Sequence, residues 1–253
     1  MPEGQTLPAF RPLPQKTPDV SMTRKGEAIY ISARQKPGDR PKSIPHALDE
    51  RVALHPDRPF LRERDPATDE WVTLTYGEAK TITDSLAQAF LDLGAGPDAP
   101  VMLLSGNSIR AAMVILAAQK IGAPAAPISV PYSTMSSDFE KLRHCFNSVK
   151  PAVVFAEQLA PFKKAIDALP AGAFKVFSAE TGGDNSVLGY DALAATEATA
   201  AVTRARDALT DASIGKYLFT SGSTGLPKPV PQTQGAMCSL IAGQEGLRDP
   251  SRD

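Results

Sequence analysis

Val101-Met102-Leu103-Leu104 is an unbroken apolar run, too short for a buried helix and too continuous for a strand with one face in water. It reads as a strand covered on both faces. Ala152 to Phe155 repeats the pattern, Pro124 to Val130 reads as extended, and Lys175 to Ser178 reads as one more strand. Helical spacing fills the intervals over Ser108–Ile121, Ser136–Val149 and Leu159–Leu169. Strands that alternate with helices of this length need right-handed crossovers, and those build a mainly parallel sheet. The expected fold class is α/β, a doubly wound sheet with helices on both faces.

Before this core, residues 1–42 are rich in proline and charge, with one apolar patch at Ala28-Ile29-Tyr30-Ile31, and read as an extended N-terminal arm. Ser43 and Pro45 mark a helix start, and Pro56 marks its end. Pro59 to Glu63 and Trp71 to Tyr76 read as a hairpin around a turn-rich linker. From Tyr76 to Leu93, Ala79, Ile82, Leu86, Phe90 and Leu93 share one helix face, and Gly94 closes it. Residues 179–213 read as loop around one short helix.

Composition narrows the function classes. Arginine and lysine total 27 against 28 aspartates and glutamates, so no net field recruits nucleic acid or an anionic membrane. No apolar stretch approaches the roughly 20 residues that span a bilayer, and the first residues do not read as a signal peptide. Cys145 and Cys238 fit neither a disulfide framework nor a paired-cysteine zinc site. The expectation is a soluble, cytoplasmic protein with no metal ligands of its own.

The chemistry concentrates where Lys216-Tyr217-Leu218-Phe219, a strand by pattern, runs into Thr220-Ser221-Gly222-Ser223-Thr224-Gly225-Leu226-Pro227-Lys228. Hydroxyls, backbone amides and one lysine there suit an anion such as a nucleotide's phosphates, since glycine admits close approach and the ammonium offsets charge. A Walker loop is excluded, because Lys228 lies between Pro227 and Pro229 instead of following glycine and preceding Ser or Thr. Pro229 and Pro231 keep the chain extended after the loop, so it joins two strands, and their shared parity puts both missing N–H groups on one open edge. A generic Ser/Gly-rich surface hairpin is the bland alternative. The histidines are isolated, and His144 and Cys145, adjacent on a helix, point too far apart for a catalytic pair; packing or surface roles are expected of them.

Thr220 to Lys228 resembles the phosphate-binding signature of the adenylate-forming superfamily, the AMP-dependent synthetases and ligases. Thr75-Tyr76-Gly77-Glu78-Ala79, Val101 to Ser108, and Ala117 to Pro124 resemble that family's early elements in order and spacing. Ser129 to Ser133, Ser137-Asp138-Phe139 with Lys141 to His144, and Pro231-Gln232-Thr233-Gln234 are most similar to the N-terminal part of bacterial feruloyl-CoA synthases. Gln234 departs from a histidine that many members carry, and Pro229 stands where a small residue is commoner.

The resemblance implies a two-step reaction. A carboxylate, a hydroxycinnamate such as ferulate in phenylpropanoid catabolism, is converted by ATP to an acyl-adenylate, and coenzyme A then takes the acyl group as a thioester. It implies Lys228 as a catalytic residue and Thr220, Ser221, Gly222, Ser223, Thr224, Gly225 and Lys228 as nucleotide-binding residues, with Mg²⁺ on the phosphates. Family members place the metal, ribose and acid ligands and a mobile-domain lysine downstream of this loop. Residues 43–253 are therefore expected to be a truncated N-terminal portion of the adenylation domain, inactive alone, whose partner is the missing C-terminal part. A stand-alone nucleotide-binding or degenerate module without ligase activity is the alternative.

Overall fold

A computed structural model describes residues 16–17, 19–65, 67–220 and 225–248. The chain divides into two compact units, residues 1–40 with 238–253, and residues 41–237. In the first unit, β1 (Val20–Lys25) and β2 (Ala28–Ala33) pair antiparallel around Gly26, whose φ of 60° suits a tight hairpin turn. The segment expected to be an extended arm thus holds a hairpin. Its signal is the short alternation around Gly26-Glu27, hidden by the surrounding prolines.

The second unit opens with α1 (Ile44–Leu54), capped by the Ser43 side chain on the His46 amide. Then β3 (Pro59–Arg64) and β4 (Trp71–Thr75) form the expected hairpin. Helix α2 (Tyr76–Asp92) starts on a complete capping box, with Thr75 and Glu78 bonding each other's backbone amides. After it come β5 (Val101–Leu104), α3 (Ile109–Lys120) and β6 (Ala125–Pro127). Gly94 and Gly122, with φ of 84° and 75°, end α2 and α3.

A short helix not expected from the sequence, α4 (Pro131–Thr134), comes next, and the helix expected over Ser136–Val149 begins only at Glu140, as α5 (Glu140–Val149). The Ser136 hydroxyl accepts the Phe139 amide at 3.0 Å and the Asp138 carboxylate accepts the Glu140 amide at 3.1 Å, while Phe139 takes φ 52°. Those side-chain bonds offer the backbone a turn in place of a helix. There follow β7 (Val153–Gln158), α6 (Leu159–Asp167) and β8 (Lys175–Glu180). Residues expected to be loop with one helix hold β9 (Leu188–Gly189), α7 (Tyr190–Ala194) and α8 (Ala200–Asp207). The chain continues through β10 (Ile214–Thr220), β11 (Lys228–Thr233) and α9 (Gln234–Leu247).

The large sheet has the order β11-β10-β6-β5-β7-β8-β9. Its pairings are parallel except β10 with β11. Alternation along β5 divides the core in two. Val101 and Leu103 join Phe90, Met113, Phe155 and Phe177 on one face, while Met102 and Leu104 join Leu142, Phe146, Val154 and Phe162 on the other. Burying each large side chain is worth about 2 kcal/mol, so both faces must stay covered, as the fully buried run predicts. Because β10, β6 and β5 are parallel neighbours, the chain leaves all of them at one edge of the sheet. Open α/β sheets bind ligands at that carboxyl edge. No helix among the described residues is long and apolar enough to cross a membrane.

Candidate phosphate-binding site

Thr220 ends β10 at the carboxyl edge, and Lys228 begins β11 directly opposite it. Paired residues of an antiparallel ladder put their side chains on the same face, so the Thr220 hydroxyl and the Lys228 ammonium rise together at the base of the turn. Gly225 and Leu226 are exposed, Pro227 is buried and Lys228 is exposed. Ser221, Gly222, Ser223 and Thr224 lie outside the described residues. Lys228, expected on the loop, stands instead on the first rung of the strand ladder. That rung gives its Cα a fixed position while its side chain stays in solvent.

A second place at the same edge offers backbone amides, the amino terminus of α3 just after β5. It is already filled by acidic side chains. The Ile109 amide donates to Glu63 Oε2 at 2.7 Å, the Ala111 amide donates to Ser108 Oγ at 3.0 Å, and the Ser108 hydroxyl donates to Glu157 Oε2 at 2.6 Å. Arg110 donates to the other Glu157 oxygen at 3.1 Å and lies 5.7 Å from the centre of the Tyr190 ring. Burial opposes charge on Arg110, but the bond and charge of Glu157 outweigh it and hold the guanidinium above its ordinary pKa. Burial also pushes the Tyr190 hydroxyl pKa up. Two carboxylates at the α3 terminus repel phosphate, so this terminus does not suit an anion.

His144 enters the site from α5. Its Nε2 lies 2.9 Å from the carbonyl oxygen of Pro227, which can only accept, so Nε2 carries the proton. The contact spans 83 residues of chain, which is why no local pattern around His144 announces it. The neighbouring Cys145 is buried, and burial pushes its thiol pKa up to about 11. His144 is engaged by the Pro227 carbonyl and Cys145 faces the core, so these two neighbours do not face each other.

Gln234 follows the far end of β11 as the first residue of α9, at the opposite edge of the sheet from the turn. It is fully buried, and its Oε1 accepts the Ile44 amide at 2.9 Å. Its difference from the family's commoner histidine therefore bears on how α1 is anchored.

Comparison with known proteins bears on the family and the fold. The family model described as "AMP-binding enzyme" matches residues 48–252. Long-chain fatty acid transport protein 2 of Rattus norvegicus is 28% identical over 194 residues, covering 74% of this chain and 29% of its own. L-proline--[L-prolyl-carrier protein] ligase of Streptomyces coelicolor is 26% identical over 195 residues, covering 75% of this chain and 34% of its own. A solved fatty acyl-adenylate ligase from L. pneumophila, in complex with acyl adenylate and pyrophosphate, superposes with a TM-score of 0.56 at 19% identity, over 76% of this chain and 30% of that one. That structural likeness speaks to the fold. The chain spans about a third of the length of each of these relatives.

Proposed function

The chain belongs to the AMP-binding enzyme family, and on that premise we propose that it is the N-terminal part of an ATP-dependent acid–CoA ligase whose acid is ferulate or a related hydroxycinnamate. One observation carries the reading: Thr220 and Lys228 stand paired at the base of a Ser/Gly-rich turn on the carboxyl edge of a parallel sheet. In the proposed reaction a carboxylate oxygen bonds to the α-phosphorus of ATP as the bond to pyrophosphate breaks, and a thiol then displaces AMP from the acyl carbon. Mg²⁺, bound with ATP, would neutralise part of the phosphate charge.

The chain's own contribution is electrostatic. The Lys228 ammonium meets negative charge as it shifts toward the leaving pyrophosphate, and the Thr220 hydroxyl and the turn's amides donate hydrogen bonds to it. Ser221, Gly222, Ser223, Thr224 and Gly225 complete this cradle in the proposal. The groups that bind acid, ribose and metal would come from chain outside the described residues. One relative is named as a ligase for a carrier protein, so a carrier-protein thiol is the second candidate acceptor beside CoA.

Pyrophosphate exchange into ATP tests the proposal, using an intact ligase that carries this chain, Mg²⁺ and a panel of acids including ferulate. Exchange should depend on the acid, and Lys228→Ala should slow it about 10²-fold. Equal exchange in Lys228→Ala removes the catalytic assignment. Nucleotide binding without exchange for any acid favours a stand-alone binding module. Thioester formation with CoA, compared with a carrier protein, decides the acceptor.

A further inference from the structure

We propose that His144 is a positioning residue for the phosphate turn, acting through the Pro227 carbonyl; this deepens the phosphate-site reading and rests on it. The turn leaves β10 at Thr220 and re-enters the sheet at Lys228, so its incoming end is fixed by the ladder. Its outgoing end has a second restraint. The Nε2–H of His144 donates to Pro227 O at 2.9 Å, one residue before the lysine. Pro227 is buried, whereas Gly225, Leu226 and Lys228 are exposed, so the restraint lies where the turn passes from solvent into the protein.

Helix α5 makes a firm base for such a tether. Leu142, Cys145, Phe146 and Val149 are buried on the sheet face that also includes Tyr217 and Phe219 of β10. His144 is half-buried between this apolar side and the exposed Arg143 and Asn147. Helix and strand thus share one core cluster, and the hydrogen bond transfers that rigidity to the turn. Proline restricts φ at residue 227, and a second proline at 229 restricts the backbone just beyond Lys228. With the Pro227 carbonyl also held, the Lys228 Cα and its amide have little freedom left. Pre-set donors stabilise charge without reorganising, which is the function of the tether here.

The test compares wild type, His144→Phe, His144→Gln and Lys228→Ala in the 253-residue chain. Phenylalanine keeps ring volume without a donor, while glutamine places an amide N–H at a similar reach. Affinity for inorganic triphosphate with Mg²⁺ is measured by calorimetry. Amide exchange of Gly225, Leu226 and Lys228 is followed separately, with β5 as an internal reference. His144→Phe should weaken binding by about five- to tenfold, the scale of one lost hydrogen bond, and speed exchange only in the turn. His144→Gln should restore both.

Wild-type affinity in His144→Phe, with Lys228→Ala weakened, overturns the inference and leaves the phosphate site standing. Equal loss in the Phe and Gln variants, with exchange also faster in β5, overturns it in favour of a general packing role. If wild type and Lys228→Ala bind triphosphate alike, the phosphate-site reading fails, and turn exchange alone decides the tether. Unchanged exchange in His144→Phe then overturns it, and faster exchange reversed in His144→Gln upholds it.

Discussion

Gln234 Oε1 accepts the amide of Ile44 at 2.9 Å, joining the first residue of α1 to the first residue of α9 across 190 positions of sequence. A helix leaves its first amides without internal partners, and at α1 the Ser43 side chain takes the His46 amide while Gln234 takes that of Ile44. Gln234→Ala leaves the half-buried Ile44 amide without this acceptor and should cost about 1 kcal/mol in urea unfolding. Because the turn proposed to bind phosphate is at the other end of the β10–β11 hairpin, triphosphate affinity should stay the same. An affinity loss at unchanged stability would contradict this division of roles.

Lys120 is buried on α3, with a side chain only 3% exposed, and bonds Asp49 of α1 at 3.3 Å and Asp84 of α2. Arg206 of α8 closes onto Asp49 from another side. Removing one member of a buried ionic cluster leaves its partners uncompensated, so Lys120→Met should destabilise the fold by about 3 kcal/mol. Thermal unfolding would show it. A melting temperature equal to wild type would mean that the cluster contributes nothing net.

The same cluster makes acid stability predictable. Burial pushes the Asp49 carboxyl up, but the Lys120 charge and the bonds from Arg206 and Lys120 outweigh it and hold the pKa below its ordinary 3.8. A depressed carboxylate contributes stability that is complete above the unfolded value and is lost as pH falls through the folded one. Urea midpoints at about pH 6 and about pH 3 should therefore differ less in Asp49→Asn than in wild type. An unchanged pH difference would transfer the acid sensitivity to other carboxylates.

Cys145 should resist thiol reagents in the folded chain. With its pKa pushed up to about 11 by burial, roughly one thiol in a thousand is ionised near pH 8, and access is blocked as well. Maleimide labelling traced by peptide mapping should find it modified only after denaturant is added. Rapid labelling of native protein would show that α5 opens locally.

The central strands were legible because burial on both faces writes an unbroken apolar run, as in Val101-Met102-Leu103-Leu104. Of α7 and α8 only one was expected, without bounds, since both are short and α8 buries only Val202. Tertiary packing of Tyr190 and Val202 into the core forms them, and no periodicity records that. The turn proposed to bind phosphate is a local motif of consecutive residues. The His144–Pro227 bond joins distant segments, and a lone histidine on a helix gives no sign of which carbonyl it will meet.

Strand β11 ends the large sheet, and its prolines decide what that edge can do. Pro229 is paired with Phe219 and Pro231 with Tyr217, so neither can donate to β10, and both occupy positions where an N–H would point outward. The outer edge therefore offers carbonyls without the amides that a further strand needs. This matters because Leu218 and Val230, partners in the ladder, are 40% and 37% exposed, and an apolar open edge invites pairing between chains. Replacing both prolines by threonine restores the outward amides and keeps a strand-compatible side chain. The Pro229→Thr/Pro231→Thr variant should self-associate at concentrations where wild type does not, with a weight-average mass in sedimentation equilibrium that rises with loading. Adding Val230→Lys should reverse the effect by charging the edge. If the double variant sediments like wild type at every loading, the prolines are not what protects this edge.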